Sequence, residues 1–311
     1  MRIELLQQAD SLEEAWWDLW RRDPCATPFQ SPAWLLPWRR HYDDGESVVL
    51  AFWHGERLVG LLPFYRLDGR LLLWGAGPSD RLDGLFDPAL DRKAVQWAVN
   101  GLGEPLDLFQ LPADSPLRQA SAPDGWQERS GYSENCAVLP LPARPSAKMN
   151  QNVRYYRRRA IRAGVSEPEQ AGAEMVGQLA ELHTRRWNDR GESGVFADER
   201  FRSWQQSAAI SLERVGILRL FVSRMAGRPI AALFVMAAKR KAYYYIGGFD
   251  PEYAKLGLGT VLVSHAIEDC ERAGLESFDF LRGHESYKYR WGAVDESTFA
   301  RKLAPSMQRV A

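Results

Sequence analysis

Cysteine is scarce in this chain and nowhere clustered. Cys25, Cys136 and Cys270 lie far apart, outside any CxxC pair or Cys/His cluster, so neither a disulfide framework nor a zinc site is indicated, and no metal is expected. A reducing, cytoplasmic setting is the expectation. Long apolar runs are missing too. None approaches the roughly 18 residues that would cross a bilayer, and the opening MRIELLQQADSLEEAWWDLW sets acids among its apolar residues, so a soluble, unprocessed protein is expected. Net charge is also lacking: 40 Lys and Arg balance 40 Asp and Glu. No global field draws such a protein to nucleic acid, and any phosphate contact must be local. Histidine is sparse, and His41, His54 and His183 show no ligand spacing, while His265 falls on a helical stripe and reads as packing. Tryptophan, by contrast, is abundant at 12 residues. Aromatic side chains bury large areas, and extensive cores are the expected use.

The most informative positive feature is an internal repeat. At an ungapped offset of 172 positions Gly55 pairs with Gly227, Leu61 with Leu233, Gly75 with Gly247, Ala94 with Ala266, Glu104 with Glu276 and Asp107 with Asp279. In the first copy, residues 47–53, 57–66 and 70–74 read as strands separated by glycine-bearing turns; a helix over 92–101 and a short buried strand over 106–109 follow. The second copy has the same βββαβ order, with strands over 218–224, 229–237 and 242–247, a helix over 259–273 capped by Gly274, and a strand over 278–281. Helical segments precede each copy, and the proline-rich stretch 139–145 reads as a linker. These patterns predict an α/β fold (an α+β mixed sheet) used twice, with domains over 1–145 and 146–311.

The copies differ where chemistry would sit. In the second, Gly247 and Gly248 end a strand, and Leu256-Gly257-Leu258-Gly259-Thr260 opens the helix. Backbone N–H groups at the positive end of a helix dipole make such a turn a pyrophosphate cradle, to which Thr260 adds a hydroxyl. At the same offset the first copy has Leu85 and Asp87, and a carboxylate there would repel phosphate. The bland alternative is that Gly257 and Gly259 only make a tight turn.

Three segments carry a family resemblance: Pro28-Phe29-Gln30-Ser31-Pro32-Ala33-Trp34, Gly248-Phe249-Asp250-Pro251, and the run from Phe278 through Arg282-Gly283-His284-Glu285-Ser286-Tyr287 to Lys288. Together with the βββαβ order they resemble the tandem GNAT acyltransferases of the CelD-like (BioF2-like) group, relatives of the Fem peptidyltransferases. The resemblance implies two tandem GNAT-like domains and acyl transfer from a thioester such as acyl-CoA to an amine. It places the donor between strands 242–247 and 277–282, on Gly248, Phe249, Lys255, Gly257, Leu258, Gly259 and Thr260. One departure stands out: the GNAT cradle pattern calls for a polar side chain where this chain has Ala254, and Lys255 is adjacent but out of register.

Amide formation needs a base, oxyanion donors and an acid for the leaving thiolate. Within the late motif Glu285 is the first candidate for base with His284 its competitor, Tyr287 is the candidate acid, and Lys288 and Arg290 could neutralise an acceptor phosphate or carboxylate. Read without the resemblance, the Tyr-Lys-Tyr-Arg-Trp run is a strand whose Lys288 and Arg290 are solvated. Asp279 is either a substrate contact or, since Asp107 matches it in the first copy, a structural carboxylate. Arg154, Arg158 and Arg162 form an i, i+4 stripe that either holds a phosphate-rich ligand, with Arg158 at its centre, or is a solvated face.

Three functions remain open at this point. The first is an acyl-CoA-dependent N-acyltransferase acting on an amino sugar, amino acid or similar small amine. The second is a Fem-type transferase drawing on aminoacyl-tRNA, against which stand the zero net charge and the lack of an inserted helical hairpin. The third is a non-catalytic acyl-CoA-binding module in exopolysaccharide assembly.

Overall fold

The computed structural model describes residues 1–306 of the chain. It divides into two compact units, Met1–Glu134 with the segment from Ser297, and Asn135–Glu296. The division differs from a linear split at residue 145, because the last strand returns to unit 1.

Unit 1 runs β1 (Arg2–Leu6), α1 (Glu13–Arg22), α2 (Pro32–His41), β2 (Glu46–His54), β3 (Arg57–Leu67), β4 (Arg70–Leu73), β5 (Leu85–Phe86), α3 (Arg92–Gly101), β6 (Leu106–Leu111) and α4 (Pro116–Gln119). β7 (Trp126–Pro140) starts here and passes into unit 2 at Asn135. Unit 2 then has α5 (Ala147–Arg162), β8 (Glu169–Ala171), α6 (Val176–Asn188), α7 (Glu199–Arg214), β9 (Leu218–Met225), β10 (Arg228–Ala238), β11 (Lys241–Phe249), α8 (Leu258–Arg272), β12 (Ser277–Arg282) and α9 (Ser286–Arg290). β13 (Val294–Pro305) closes the chain, and from Phe299 on it pairs with β6 in unit 1.

Both units are mixed α/β with the expected βββαβ core, β2-β3-β4-α3-β6 and β9-β10-β11-α8-β12. In each, antiparallel hairpins are followed by a parallel step, Leu71↔Leu106 in unit 1 and Lys241↔Ser277 in unit 2. The hairpins close at Asp68-Gly69 and Ala226-Gly227 with both turn residues at positive φ, the turn whose twist matches paired strands. On α8 the apolar stripe Leu262, Val263, Ala266, Ile267 and Cys270 is buried against Leu233, Val235 and Phe278, and Gly274 (φ +71°) ends the helix as expected. The stretch over 139–145 is not wholly a linker, since Leu139 and Pro140 pair with Phe278 and Ser277 in the sheet. No described helix is long and apolar enough to cross a membrane.

The Pro28-to-Trp34 motif is structural. The Gln30 side-chain oxygen accepts the Thr27 N–H at 2.9 Å and its amide donates to the Arg81 carbonyl at 3.1 Å, while Trp34 Nε1 donates to Ser79 Oγ at 2.9 Å. These bonds pin the segment between β4 and β5 to the N-terminal helices. That segment also holds Asp83, whose carboxyl is pushed up to about 8 by burial, against hydrogen bonds from Ser115 Oγ and the Gly84 N–H. A carboxyl raised in the fold stabilises fully below its unfolded value near 3.8 and loses that contribution as pH rises through about 8. Urea unfolding between pH 5 and 8.5 should therefore show a fall of roughly 1–3 kcal/mol that Asp83→Asn abolishes. A pH slope identical in the variant would exclude this assignment.

Candidate active site

In unit 2, β11 and β12 run parallel only through Lys241↔Ser277, Ala242↔Phe278 and Tyr243↔Asp279, and then part. Two irregularities drive them apart. β11 bulges against β10, where Phe234↔Ile246 is followed by Val235↔Tyr244, leaving Tyr245 extra. β12 kinks against β7 between Asp279↔Val138 and Arg282↔Cys136, with Leu281 in the left-handed region at φ +59°. Asp279 holds that kink: it is 2% exposed and its Oδ1 accepts the Leu281 N–H at 2.8 Å. A left-handed non-glycine residue persists only where its surroundings fix it. Asp279 thus has a structural role at this kink. Beyond Tyr243 no described strand pairs with β11 on its β12 side.

Aromatic and charged side chains gather at this opening. Phe280 lies 6.1 Å from both the Tyr244 and the Tyr287 rings. The Tyr287 hydroxyl hydrogen-bonds Tyr244, which also takes a bond from Arg186. Burial pushes both phenols up, and the neighbouring Tyr244 and Glu285 push Tyr287 further. Tyr287 is therefore held as the neutral phenol, the form an acid requires.

The run after Gly283 is a helix, α9, and not an alternating strand. Lys288 is consequently buried, at 2% exposure. Its ammonium donates to the carbonyls of Leu281 (3.3 Å), Arg282 and Gly283 (3.2 Å) and pairs with Glu285 at 2.9 Å. An ammonium has three donors, and this one spends them on the turn that leaves β12. Lys288 thus positions the loop, which corrects its reading as a free functional cation. Gly283 (φ +106°) lies inside the turn, where a Cβ would stand 2.4 Å from Glu285 Oε2. Burial alone would raise the Glu285 carboxyl, but the Lys288 hydrogen bond and the charges of Lys288 and Arg186 hold it below the ordinary range. It is an ionised, exposed carboxylate facing the Tyr244–Tyr287 pair. His284 is exposed, with Nδ1 3.4 Å from the Tyr289 hydroxyl, and that hydroxyl donates to Asp295 at 2.7 Å. The Arg290 side chain is exposed, and its carbonyl accepts the Ser146 N–H.

The start of α8 is a tighter cradle than the glycine pattern implies. Residues Pro251–Leu256 form a 3-10 turn capped by Asp250, whose side chain accepts the Glu252 N–H. The Gly257 N–H is spent on the Ala254 carbonyl (3.1 Å) and the Thr260 N–H on the Gly257 carbonyl (3.0 Å). Leu258 and Gly259 keep their N–H groups, as the first residues of a helix do. A Cβ built on Gly259 meets nothing within 4 Å, so the space over these donors is open. Lys255 is exposed beside them. Gly257 has a second duty: it is left-handed (φ +67°) and faces the Tyr156 ring of α5, 2.3 Å from where its Cβ would be. Gly248 has a packing duty: a Cβ there would lie 2.5 Å from the His183 backbone N, so the glycine lets α6 come onto the sheet. Phe249 carries the Arg186 guanidinium over its ring at 4.9 Å.

Unit 1 shows what replaces this cradle. β5 pairs with β3 through Gly60↔Phe86 and Leu61↔Leu85, as the end of β11 pairs with β10 through Ala231↔Phe249 and Ala232↔Gly248. Asp87 then binds Arg22 and Arg57 just as Asp250 binds Arg185 and Arg228. Asp87 is therefore the counterpart of Asp250 and not of Gly259. The ungapped register fails here, because residues 74–84 interrupt the strand that is continuous as β11. The true counterpart of Gly257 is Asp91, which caps α3 and accepts the Lys93 N–H at 2.9 Å. Its carboxylate occupies the place an external anion would take. The asymmetry between the copies holds, through different residues.

On α5, Arg154, Arg158 and Arg162 are exposed, and among the described residues Arg158 donates only to the Arg154 carbonyl of its own helix at 3.2 Å. Arg157 is the arginine that packs, bridging to Ser264 (3.1 Å) and Glu268 (2.7 Å) on α8. Arg186 and Tyr244 lie in no motif, Tyr156 sits inside the basic stripe of 154–162, and His183 shows no ligand spacing in the sequence. His183 is 5% exposed, accepts the Trp187 indole N–H at 2.7 Å and is brought down to about 4 by burial and Arg186, so it is neutral.

Comparison with known proteins agrees with this geometry. Residues 147–289 match the family model described as an acetyltransferase (GNAT) domain. This segment is a GNAT-type domain. Among curated proteins no sequence matches. Among solved structures the chain is similar to FemX at 11% identity, over 96% of this chain and 97% of that one, with a TM-score of 0.67. It is also similar to the C-terminal domain of a putative lysylphosphatidylglycerol synthetase from Agrobacterium fabrum (13% identity, 95% and 92% covered, TM-score 0.62). A third similar structure is L-PGS from Bacillus licheniformis (15% identity, 89% and 88% covered, TM-score 0.59). At these identities the likeness is one of fold, and it extends over both units.

Proposed function

We propose that the chain is an N-acyltransferase that moves an acyl group from acyl-CoA to the amine of a small molecule, such as an amino acid or amino sugar. The parting of β11 and β12 beside the open start of α8, within the GNAT-type segment, carries this reading. In it the edge of β11 that β12 leaves beyond Tyr243 takes the pantetheine arm, and the Leu258 and Gly259 N–H groups, with Thr260 and Lys255, take the pyrophosphate. The amine nitrogen attacks the thioester carbonyl carbon, so that a C–N bond forms and the C–S bond breaks. Glu285, directly or through water, receives the proton the nitrogen loses, and Tyr287 offers its phenolic proton to the departing thiolate. The low basicity of Glu285 suits a relay to solvent better than a strong base.

Isothermal titration with acetyl-CoA and longer acyl-CoAs tests the donor assignment. Binding at micromolar concentration is expected, and none at millimolar ligand would sink it. The exposed arginines of α5 favour one second reading, transfer from an aminoacyl-tRNA. Strongly salt-dependent tRNA binding, with no acyl-CoA bound, would favour it.

A further inference from the structure

The cluster between β11 and α9 contains one charge with no counterpart. Arg186, in the last turn of α6, makes no ion pair among the described residues, whereas its neighbour Arg185 is matched to Asp250 at 3.2 Å. Its guanidinium carbon lies over the Phe249 ring, 4.9 Å from the centroid, and the group donates to the Tyr244 hydroxyl. Its Nε–H is buried with no acceptor, and one turn back His183 keeps a buried Nδ1 without a partner as well. Since His183 Nε2 accepts from Trp187, the proton of the neutral ring sits on Nδ1. Two buried donors on one helix face are therefore unmatched. Buried donors are ordinarily satisfied, and leaving one unmet is costly.

We propose that Arg186 is the docking point for a carboxylate carried by the acceptor, so that the acceptor is an amino acid or another amine bearing a carboxylate. The inference rests on the acyl-transfer reading and narrows its acceptor. A guanidinium held over a ring, with one donor already engaged by Tyr244, is preorganised for anion binding. The local charge selects the anion. Lys288 and Glu285 neutralise each other at 2.9 Å, which leaves Arg186 as a single net positive charge. A monoanionic carboxylate balances it, whereas a phosphate dianion would face repulsion from Glu285. The same molecule then presents its amine toward Glu285, placing opposite charges at both of its ends.

The test uses the full chain, acetyl-CoA, and a thiol-reactive dye to follow released CoA. Pooled free amino acids are compared with the pooled amines that lack the carboxylate, and with glucosamine and glucosamine 6-phosphate. Transfer to one or more amino acids is expected, with kcat/KM at least about 100-fold above that of the matching amine. On that acceptor Arg186→Met should raise KM by roughly 30- to 1,000-fold while kcat changes by less than about 5-fold. Arg186→Lys should restore part of the loss, and acetyl-CoA affinity by calorimetry should be unaltered in both. Preference for an amine without a carboxylate, for either sugar, or equal KM in Arg186→Met would overturn the proposal, as would no transfer to any pool. In that last case bound acetyl-CoA leaves the donor site standing, whereas no binding removes the acyl-transfer reading itself.

Discussion

Replacing Lys288 by Met is expected to abolish measurable transfer and to lower the unfolding free energy by roughly 3–5 kcal/mol. The ammonium is buried, and its removal leaves the carbonyls of Leu281, Arg282 and Gly283 without their donor and the Glu285 carboxylate without its cation. Those carbonyls form the turn that aims α9, and α9 carries Tyr287 against Tyr244. The loss of activity would thus arise from geometry, since Lys288 spends its donors on the turn and on the Glu285 carboxylate. Losing its hydrogen bond also lets the Glu285 carboxyl rise toward the value burial favours. Urea denaturation, acetyl-CoA calorimetry and the transfer assay together check the point. The start of α8 does not depend on this turn, so acetyl-CoA should still bind while the fold persists. A variant as stable as the parent, with transfer lost, would show that Lys288 acts chemically and that the positioning role is wrong.

The fate of Lys288 illustrates what a sequence conceals. Alternation of Tyr287, Tyr289 and Trp291 with Lys288 and Arg290 predicts a strand with solvated cations, yet Gly283 at positive φ turns the chain into a short helix. A buried ammonium can be read only when its carbonyl partners are known to converge, and the three come from the turn itself. The repeat was legible because βββαβ order and turn glycines leave local marks. Its exact register was not. The span from β4 to the end of β5 (70–86) is eight residues longer than β11 (241–249), and this is cancelled by a connection to α3 three residues shorter (87–91 against 250–257) and an α3 five residues shorter than α8 (10 against 15). An ungapped match across them therefore pairs Asp87 with Gly259 although Asp87 does the work of Asp250. Arg186 and Tyr244 escaped for a different reason: each belongs to an ordinary helix or strand pattern and acquires meaning only from the parting of β11 and β12. Arg301 is similar. It is fully buried in unit 1, bound to the carbonyls of Leu117 and Ala120 and to Glu128, and nothing in its neighbours' sequence marks it.

Gly259→Glu should weaken acyl-CoA binding by at least about 100-fold while leaving stability within about 0.5 kcal/mol of the parent. The two halves of that expectation have separate physical grounds. A side chain at residue 259 enters open space, and an acidic residue in the first turn of a helix is favoured by the helix dipole, so the fold has no reason to suffer. The same carboxylate, however, lies over the Leu258 and Gly259 N–H groups and meets a pyrophosphate with like charge. It reproduces in unit 2 what Asp91 does at the start of α3, where a resident carboxylate takes the place of an external anion. Gly257→Glu makes the contrast: its Cβ would collide with the Tyr156 ring and its φ is left-handed. That variant should lose stability as well as binding. Calorimetric titration of acetyl-CoA into both variants, alongside their urea melts, separates the effects. Undiminished binding in Gly259→Glu would mean that the donor's phosphates are held elsewhere, and that the parted strands, not the α8 cradle, define the donor site.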